Sequence, residues 1–307
     1  CFSPCFYCGC NRIITRDLGR SDSYLARLYR EVALIAPAFD RDREVIQLHF
    51  GGGTPNFLNP TQLADTVDVL RRQFHFADRR DSDISIEIDP RFCDPAWMPA
   101  LAASGFNRAS LGVQDFDPKV QAAVNRLQTV EETRAVVDAA RSAGFRSVNI
   151  DLIYGLPGQN LEGFGKTLDI VTEIRPDRLA VYSYAHMPHL FKAQKQIDEA
   201  LLLDGDAKLA LLQLAVEKLT AAGYVYIGMD HFALPDDDLA QAQQRGGLHR
   251  NFMGYTTHAD SDLIGLGVSA ISHIGNTFSQ NPRDLPSWEI AIDSGKLPVF
   301  RVMRMSE

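Results

Sequence analysis

The 307-residue sequence contains no apolar run near the roughly 18 residues that would read as a membrane span. It shows no secretory signal and no lipidation motif, so the expectation is a cytoplasmic protein with no membrane partner. A basic excess is missing too. The 31 Lys and Arg against 39 Asp and Glu leave a formal charge of −8. That argues against a nucleic-acid partner, which would call for a basic stripe. An anionic small substrate is not excluded, because local arginines decide that. Cysteine is scarce beyond residue 10, where Cys93 stands alone. A secreted disulfide framework would scatter cysteines along a small chain, and this pattern does not. No low-complexity segment or internal repeat is present. An initial Met is lacking as well. The sequence starts at Cys1 and stops after VFRVMRMSE, so it reads as a fragment.

With 45% hydrophobic and 23% charged residues, the composition is that of an ordinary globular protein able to bury a core without staples. VIQLHFGGG (45–53) reads as a buried apolar run ending in a glycine turn. DISIEID (83–89), SLGVQ (110–114), SVNIDLIYG (147–155), RLAVYSYAH (178–186) and YVYIGMDHF (224–232) read as further strands. Between them LADTVDVLRRQF, PAWMPALAASG, VEETRAVVDAARSAG, FGKTLDIVTEIRP and LALLQLAVEKLTAAG carry helical patterns, several closed by Gly or Pro. Strands alternating with helices predict α/β architecture with a mainly parallel sheet, spaced as a barrel or partial barrel. LPDDDLAQAQQRGG (234–247) is expected to be a long surface excursion. In such folds catalytic groups sit at the C-terminal strand ends. Here those ends carry GGGTP, Glu87, Gln114, Asp151 and Tyr184 to His186.

Four of the five cysteines lie in the first ten residues, and Cys1, Cys5 and Cys8 form C-x3-C-x2-C. Such clustering in a large chain favours a metal or redox site. Thiolates are the usual ligands of iron–sulfur clusters. Three of them leave one iron of a cubane open to a further ligand. A structural zinc site on three or four of these thiols is the alternative. Gly51-Gly52-Gly53-Thr54-Pro55 follows a strand. Glycines there let backbone amides approach a ligand, although a tight turn needs no ligand. Cys93 reads as a small buried hydrophobe.

Tyr7 before Cys8 and the glycine turn make the pattern resemble the radical S-adenosylmethionine (SAM) superfamily. CFYCGCNRIITR, HFGGGTPNFL, SIEIDPR, GFNRASLGVQDF, NIDLIYGLPGQ, YSYAHMP, YIGMDHFALPDDDLA and LHRNFMGYTT resemble, more narrowly, the oxygen-independent coproporphyrinogen III oxidase family (coproporphyrinogen dehydrogenases). The resemblance runs from residue 1 to about residue 280. It implies a partial (β/α)6 TIM-like barrel of the radical SAM type over 1–225. Residues 226–307 are then a C-terminal extension covering the SAM and substrate site. It further implies a 4Fe–4S cluster on Cys1, Cys5 and Cys8, and one or two SAM molecules. A deoxyadenosyl radical would take hydrogen from two propionates of coproporphyrinogen III, which then lose CO2 and leave the vinyl groups of protoporphyrinogen IX. The implied partners are that substrate and a reduced electron donor such as flavodoxin or ferredoxin, with a monomeric chain. A related heme-binding chaperone, or an enzyme acting on another tetrapyrrole, are the alternatives.

Residue by residue, the resemblance implies that Gly52, Gly53 and Thr54 contact the methionine part of SAM and that Glu87 binds its amino group. Arg126 would pair with its carboxylate, a role suited to the guanidinium fork. Gln114 and Asp151 would bind ribose hydroxyls, and Ala185 would offer backbone contact near the adenine. Glu87 and Asp151 also read simply as strand-end carboxylates, and Gln114 as a polar cap. Ile271 and FMGYTT match the region of a second SAM, but Met253 stands where a glutamine is expected. The heme chaperones follow the motif with an aspartate and an aromatic residue. Here Gly9 and Cys10 follow it, as in the oxidases, which gives Cys10 a catalytic role beside the cluster rather than as a ligand. Arg12, Arg16, Arg245 and Arg250 are candidates for holding propionates. His49 and His231 lie at strand ends, where a site role and a packed core role are both open.

Overall fold

The structure is a computed structural model, and it describes residues 1–78, 82–251 and 253–306. The chain forms two compact units. The first comprises Cys1–Ile14, His49–Asn56 and Asp83–Thr257; the second comprises Thr15–Leu48, Phe57–Ser82 and His258–Glu307. The units interleave along the sequence, so neither ends at residue 225.

The first unit is organised by a sheet of β1 (Gln47–Phe50), β2 (Asp83–Ile88), β3 (Arg108–Gln114), β4 (Ser147–Tyr154), β5 (Arg178–Ser183), β6 (Val225–Gly228) and β7 (His231–Ala233). Their order is β1-β2-β3-β4-β5-β7-β6. Pairing is parallel from β2 to β5, and the β5/β7 and β7/β6 pairs are antiparallel. Strand alternation decides the two faces. Ile84, Ile86 and Ile88 of β2, Ala109, Leu111 and Val113 of β3, and Val148, Ile150 and Leu152 of β4 are buried on one side. Helices α1 (Met98–Ser104), α2 (Pro118–Ala123), α3 (Val130–Ser142), α4 (Leu161–Ile174) and α5 (Gly205–Ala221) alternate with the strands. Of these, α3 and α5 pack directly against sheet strands.

Local sequence sets the helix limits. Thr129 and Glu132 form a capping box at the start of α3. Asn160 caps α4, which ends at Arg175 in a left-handed conformation just before Pro176.

Three sequence expectations differ from the fold. The 45–53 run is not buried: β1 is an edge strand whose residues alternate between exposed and half-buried. YVYIGMDHF is not one strand but the β6–β7 hairpin, turned by Gly228 (φ +134°) and Met229 (φ +50°). The 234–247 stretch is not a plain excursion. It holds α6 (Asp238–Gln244), whose Leu239 and Ala240 pack with Ile227 and Ala233.

In the second unit, helices Arg20–Ile35, Pro60–Gln73 and Leu285–Asp293 accompany an antiparallel sheet of Ile271–Ile274, Thr277–Gln280 and Arg301–Arg304. Buried Glu31 accepts hydrogen bonds from the Gly267 amide (2.8 Å), Asn281 Nδ2 (2.7 Å) and the Trp288 indole (3.1 Å). Burial pushes this carboxyl above its usual range, while its three neutral donors work the other way. No helix among the described residues is long and apolar enough to cross a membrane.

Candidate active site

The loop carrying Cys1, Cys5 and Cys8 is pinned by backbone and side-chain bonds within the first unit. The Phe6 amide donates to Val124 O (2.9 Å), and Asn125 Nδ2 donates to Pro4 O (2.7 Å). Asn125 adopts φ +54°, a conformation Asn tolerates better than most residues. Phe6 and Tyr7 pack on Val120, Val124, Leu156, Tyr184 and Ile197. Arg12 Nη1 and Nη2 donate to Cys8 O (2.7 Å) and Cys5 O (3.3 Å). The Arg12 guanidinium therefore braces the loop.

Each thiol has a polar neighbour. Thr54 Oγ1 donates to Cys1 Sγ at 3.1 Å. Arg91 Nη2 and Arg126 Nη1 each lie 3.5 Å from Cys5 Sγ. The Cys10 amide donates to Cys8 Sγ at 3.4 Å. A bond from the Cys10 thiol pulls Cys8 down to about 6, with the Arg12 charge adding to it and burial opposing. Cys10 is pushed the other way, chiefly by that same bond. These are surroundings that favour thiolate at Cys8. Among the described residues, no three His, Cys, Asp or Glu side chains gather as they would around a single metal ion.

The open face of the sheet leads to this loop. Glu87 is in register with Ser110, Ser110 with Asn149, Gly112 with Asp151, and Asp151 with Ala180. Ser110 Oγ donates to Asp151 (2.9 Å) and Asn149 Nδ2 donates to the other Asp151 oxygen (2.7 Å). Burial pushes the Asp151 carboxyl up to about 6; the Glu87 charge adds, while the Ser110 and Asn149 donors oppose. Glu87 Oε2 accepts the Gly52 amide at 3.1 Å. His49 bridges Ser85 Oγ (2.8 Å) and Glu87 Oε1 (3.4 Å).

Gly52 and Gly53 both adopt positive φ (+76° and +62°), and a Cβ on Gly53 would lie 3.8 Å from Cys1 Sγ. The turn therefore brings backbone close to the first thiol. Gln114 ends β3 at φ +72°. Its amide nitrogen would sit 2.9 Å from a Cβ on Gly112.

Arg126 is buried and paired with Asp89 (3.2 Å), and it also donates to Gly112 O and approaches Cys5. Its Nε has no hydrogen-bond partner among the described residues. Asp89 and Arg91 were not singled out from the sequence, although they follow Glu87 in the quoted SIEIDPR. Burial works to raise the Asp89 carboxyl, but the Arg91 and Arg126 guanidiniums hold it below the usual range. Gln194 was also missed. Its Nε2 donates to Tyr7 O (2.9 Å) and Ala185 O (3.1 Å), linking the thiol loop to the segment after β5. No sequence signal marks a glutamine placed 187 residues from its partner. Ile271 opens a strand of the second unit. Met253 is exposed, and Phe252 of the FMGYTT segment lies outside the described residues.

Polar contacts at each of three thiols, a glycine turn held by a glutamate and a polar open face coincide with a family match. Residues 1–171 match the model described as the radical SAM superfamily. The structure superimposes on that of coproporphyrinogen III oxidase (HemN) from Escherichia coli, a radical SAM enzyme. Their TM-score is 0.96 at 48% identity, covering 100% of this chain and 70% of that one. The oxygen-independent coproporphyrinogen III oxidase of Helicobacter pylori is 44% identical over 308 residues, covering 67% of that relative.

The chain belongs to the radical SAM superfamily and, within it, to the oxygen-independent coproporphyrinogen III oxidase family. Another member, from Pseudomonas aeruginosa, is 53% identical over 301 residues, or 98% of this chain and 65% of the relative. This radical SAM chain thus spans just under two thirds of that relative's length. The partial barrel expected from the motifs is the fold found, with the β6–β7 hairpin closing the parallel series.

The donor set of the radical SAM chain fits a cluster. Three thiols lie on one short loop, two guanidiniums face Cys5, and the Cys10 amide points at Cys8. Positive charge and N–H donors beside sulfur stabilise anionic thiolate–iron centres.

Proposed function

We propose that this radical SAM protein performs the oxidative decarboxylation of two propionates of coproporphyrinogen III, giving protoporphyrinogen IX. A cluster held by Cys1, Cys5 and Cys8, with SAM, supplies the radical chemistry when bound. The chain's own residues bind, orient and exclude water. Gly52, Gly53 and Thr54 present backbone and hydroxyl groups beside Cys1. Glu87 holds the turn through the Gly52 amide, and its other oxygen, beside His49, receives an amino group. Arg126 offers its orphaned Nε and its charge to a carboxylate. Asp151, fixed by Ser110 and Asn149, accepts from vicinal hydroxyls, with Gln114 beside it. Ala185, held through Gln194, lends its backbone to an adenine. Cys10 tunes Cys8 through its amide and thiol. Ile271 is assigned to a second SAM. A reduced flavodoxin or ferredoxin is the proposed electron donor, and the cytoplasm the proposed location.

The observation that carries this reading is the row of half-open polar groups, Glu87, Ser110, Asn149 and Asp151, on the sheet face beside a loop with three thiols. The test is anaerobic reconstitution of the full-length protein with iron and sulfide, followed by SAM, a reductant and coproporphyrinogen III. Protoporphyrinogen IX is the expected product. An intact cluster with no vinyl product sinks the reading; stoichiometric heme binding without turnover supports the chaperone instead.

A further inference from the structure

We propose that Arg250, at the mouth of an aromatic recess formed by Tyr182, His231 and Tyr255, binds a propionate carboxylate of the tetrapyrrole substrate. This deepens the function proposed above and rests on it for the identity of the ligand.

The recess lies on the open face of the same sheet. Asp151 is in register with Ala180, and Ala180 with His231. Tyr182 lies two residues beyond Ala180, hence on the same face and nearer the C-terminal rim. Its phenol is pushed up chiefly by burial, with the charges of Asp151, Asp230 and Glu87 adding and Arg250 opposing. The His231 ring meets Tyr182 edge-on (centroids 6.0 Å, 88°) and Tyr255 likewise (5.2 Å, 81°). Arg250 stands opposite Tyr255 in the ribbon of His249–Asn251 and Gly254–Thr256, with its guanidinium 5.9 Å from the Tyr255 ring centroid.

A Cβ on Gly228 would lie 2.8 Å from the Tyr255 hydroxyl, and Gly228 also adopts φ +134°, so glycine alone lets Tyr255 settle there.

The chemistry of the walls selects a ligand. Burial, aided by Arg250 and Arg178, drives His231 down to about 4, so at neutral pH its imidazole is uncharged. Its Nδ1 is buried with no hydrogen-bond partner among the described residues. Two phenol rings and a neutral imidazole make an apolar, π-rich wall suited to a pyrrole. One guanidinium at the mouth suits a carboxylate. Arg12 already donates to Cys8 O and Cys5 O, and Arg245 donates to Gln241 Oε1. Arg250 is exposed, and its guanidinium lies over the Tyr255 ring with no hydrogen bond or ion pair to a side chain among the described residues. A pyrrole carrying a short carboxylate arm satisfies both features at once.

The test separates binding from turnover. Coproporphyrin III, the stable oxidised form with four propionates, is titrated into the full-length reconstituted protein, followed by its own fluorescence. R250A is expected to weaken binding about 10- to 100-fold, the range for losing a charge-assisted hydrogen bond. R250K should recover part of that loss. Y182A, at an open position, should weaken binding about tenfold for loss of an aromatic wall. Iron content and circular dichroism report whether each variant folds. With coproporphyrinogen III, R250A should raise KM by a similar factor and change kcat by less than about threefold. R250A and Y182A that fold and bind within twofold of wild type overturn the site, as does wild type that fails to bind. Wild type that binds through Arg250 but makes no vinyl product upholds the site and overturns the proposed reaction.

Discussion

Ile84, Ile86 and Ile88 of β2 are 2%, 0% and 3% exposed, whereas Asp83, Ser85 and Glu87, one residue away on the same strand, are half-open. The pattern repeats on β3, where Leu111 is buried and Ser110 half-buried, and on β4, where Ile150 is buried and Asp151 half-buried. One face is an apolar layer and the other a row of hydrogen-bonded polar groups. The covered face is driven by removal of apolar surface from water. The open face is organised by pairing each polar group with a neighbour: Glu87 with Gly52 and His49, Asp151 with Ser110 and Asn149. Stability belongs mainly to the first face, and the proposed chemistry would belong to the second.

Substitutions should separate the two faces. The largest effect is expected at the thiol loop: Cys5→Ser should abolish cluster assembly and product formation, read as iron content and vinyl product, while urea unfolding of the iron-free protein changes little. Next is the covered face. Leu111→Ala should cost about 3 kcal/mol of stability, measured by urea denaturation. A loss under about 1 kcal/mol would mean the apolar layer does not carry the sheet.

Asp151→Asn should act in the opposite direction. The folded carboxyl titrates at about 6, above the ordinary value. Between about pH 4 and pH 6 the folded chain holds a proton the unfolded chain has released, so stability falls as pH rises through that window. At pH 7 the substitution should therefore stabilise the chain by about 1–2 kcal/mol, with the gain gone near pH 3.5. SAM binding should weaken at the same time. Unchanged stability at pH 7 would show that the open face holds its carboxylate without strain. The smallest effect is expected from Glu87→Gln, which keeps an acceptor for the Gly52 amide: a loss of about 0.5–1 kcal/mol in thermal unfolding.

Much of this was legible in the linear pattern. The alternation of DISIEI and SVNIDLIY placed two central strands, and the closing Gly144 and Pro176 placed the ends of α3 and α4. The thiol spacing and the glycine turn marked the candidate site. The β6–β7 hairpin was missed because YVYIGMDHF is continuously β-prone, and the reversal depends on positive φ at Gly228 and Met229. The edge position of β1 was missed because burial of an apolar run depends on which neighbours the sheet supplies. The guanidinium of Arg126 was assigned to a carboxylate; that Asp89 already pairs with it depends on two segments 37 residues apart meeting.

By itself the sequence determined what is local and periodic: strand faces, helix limits, the three-thiol spacing and the glycines that permit left-handed turns. These follow from side-chain period and backbone sterics, which act within a few residues. Tertiary structure alone decided the electrostatics and the partners. Cys8 is drawn down beside Cys10, Asp151 is pushed up by burial, and Arg12 is held to the loop while the Arg250 guanidinium lies over the Tyr255 ring. A charge is set by whatever surrounds it in space, and those surroundings come from distant parts of the chain.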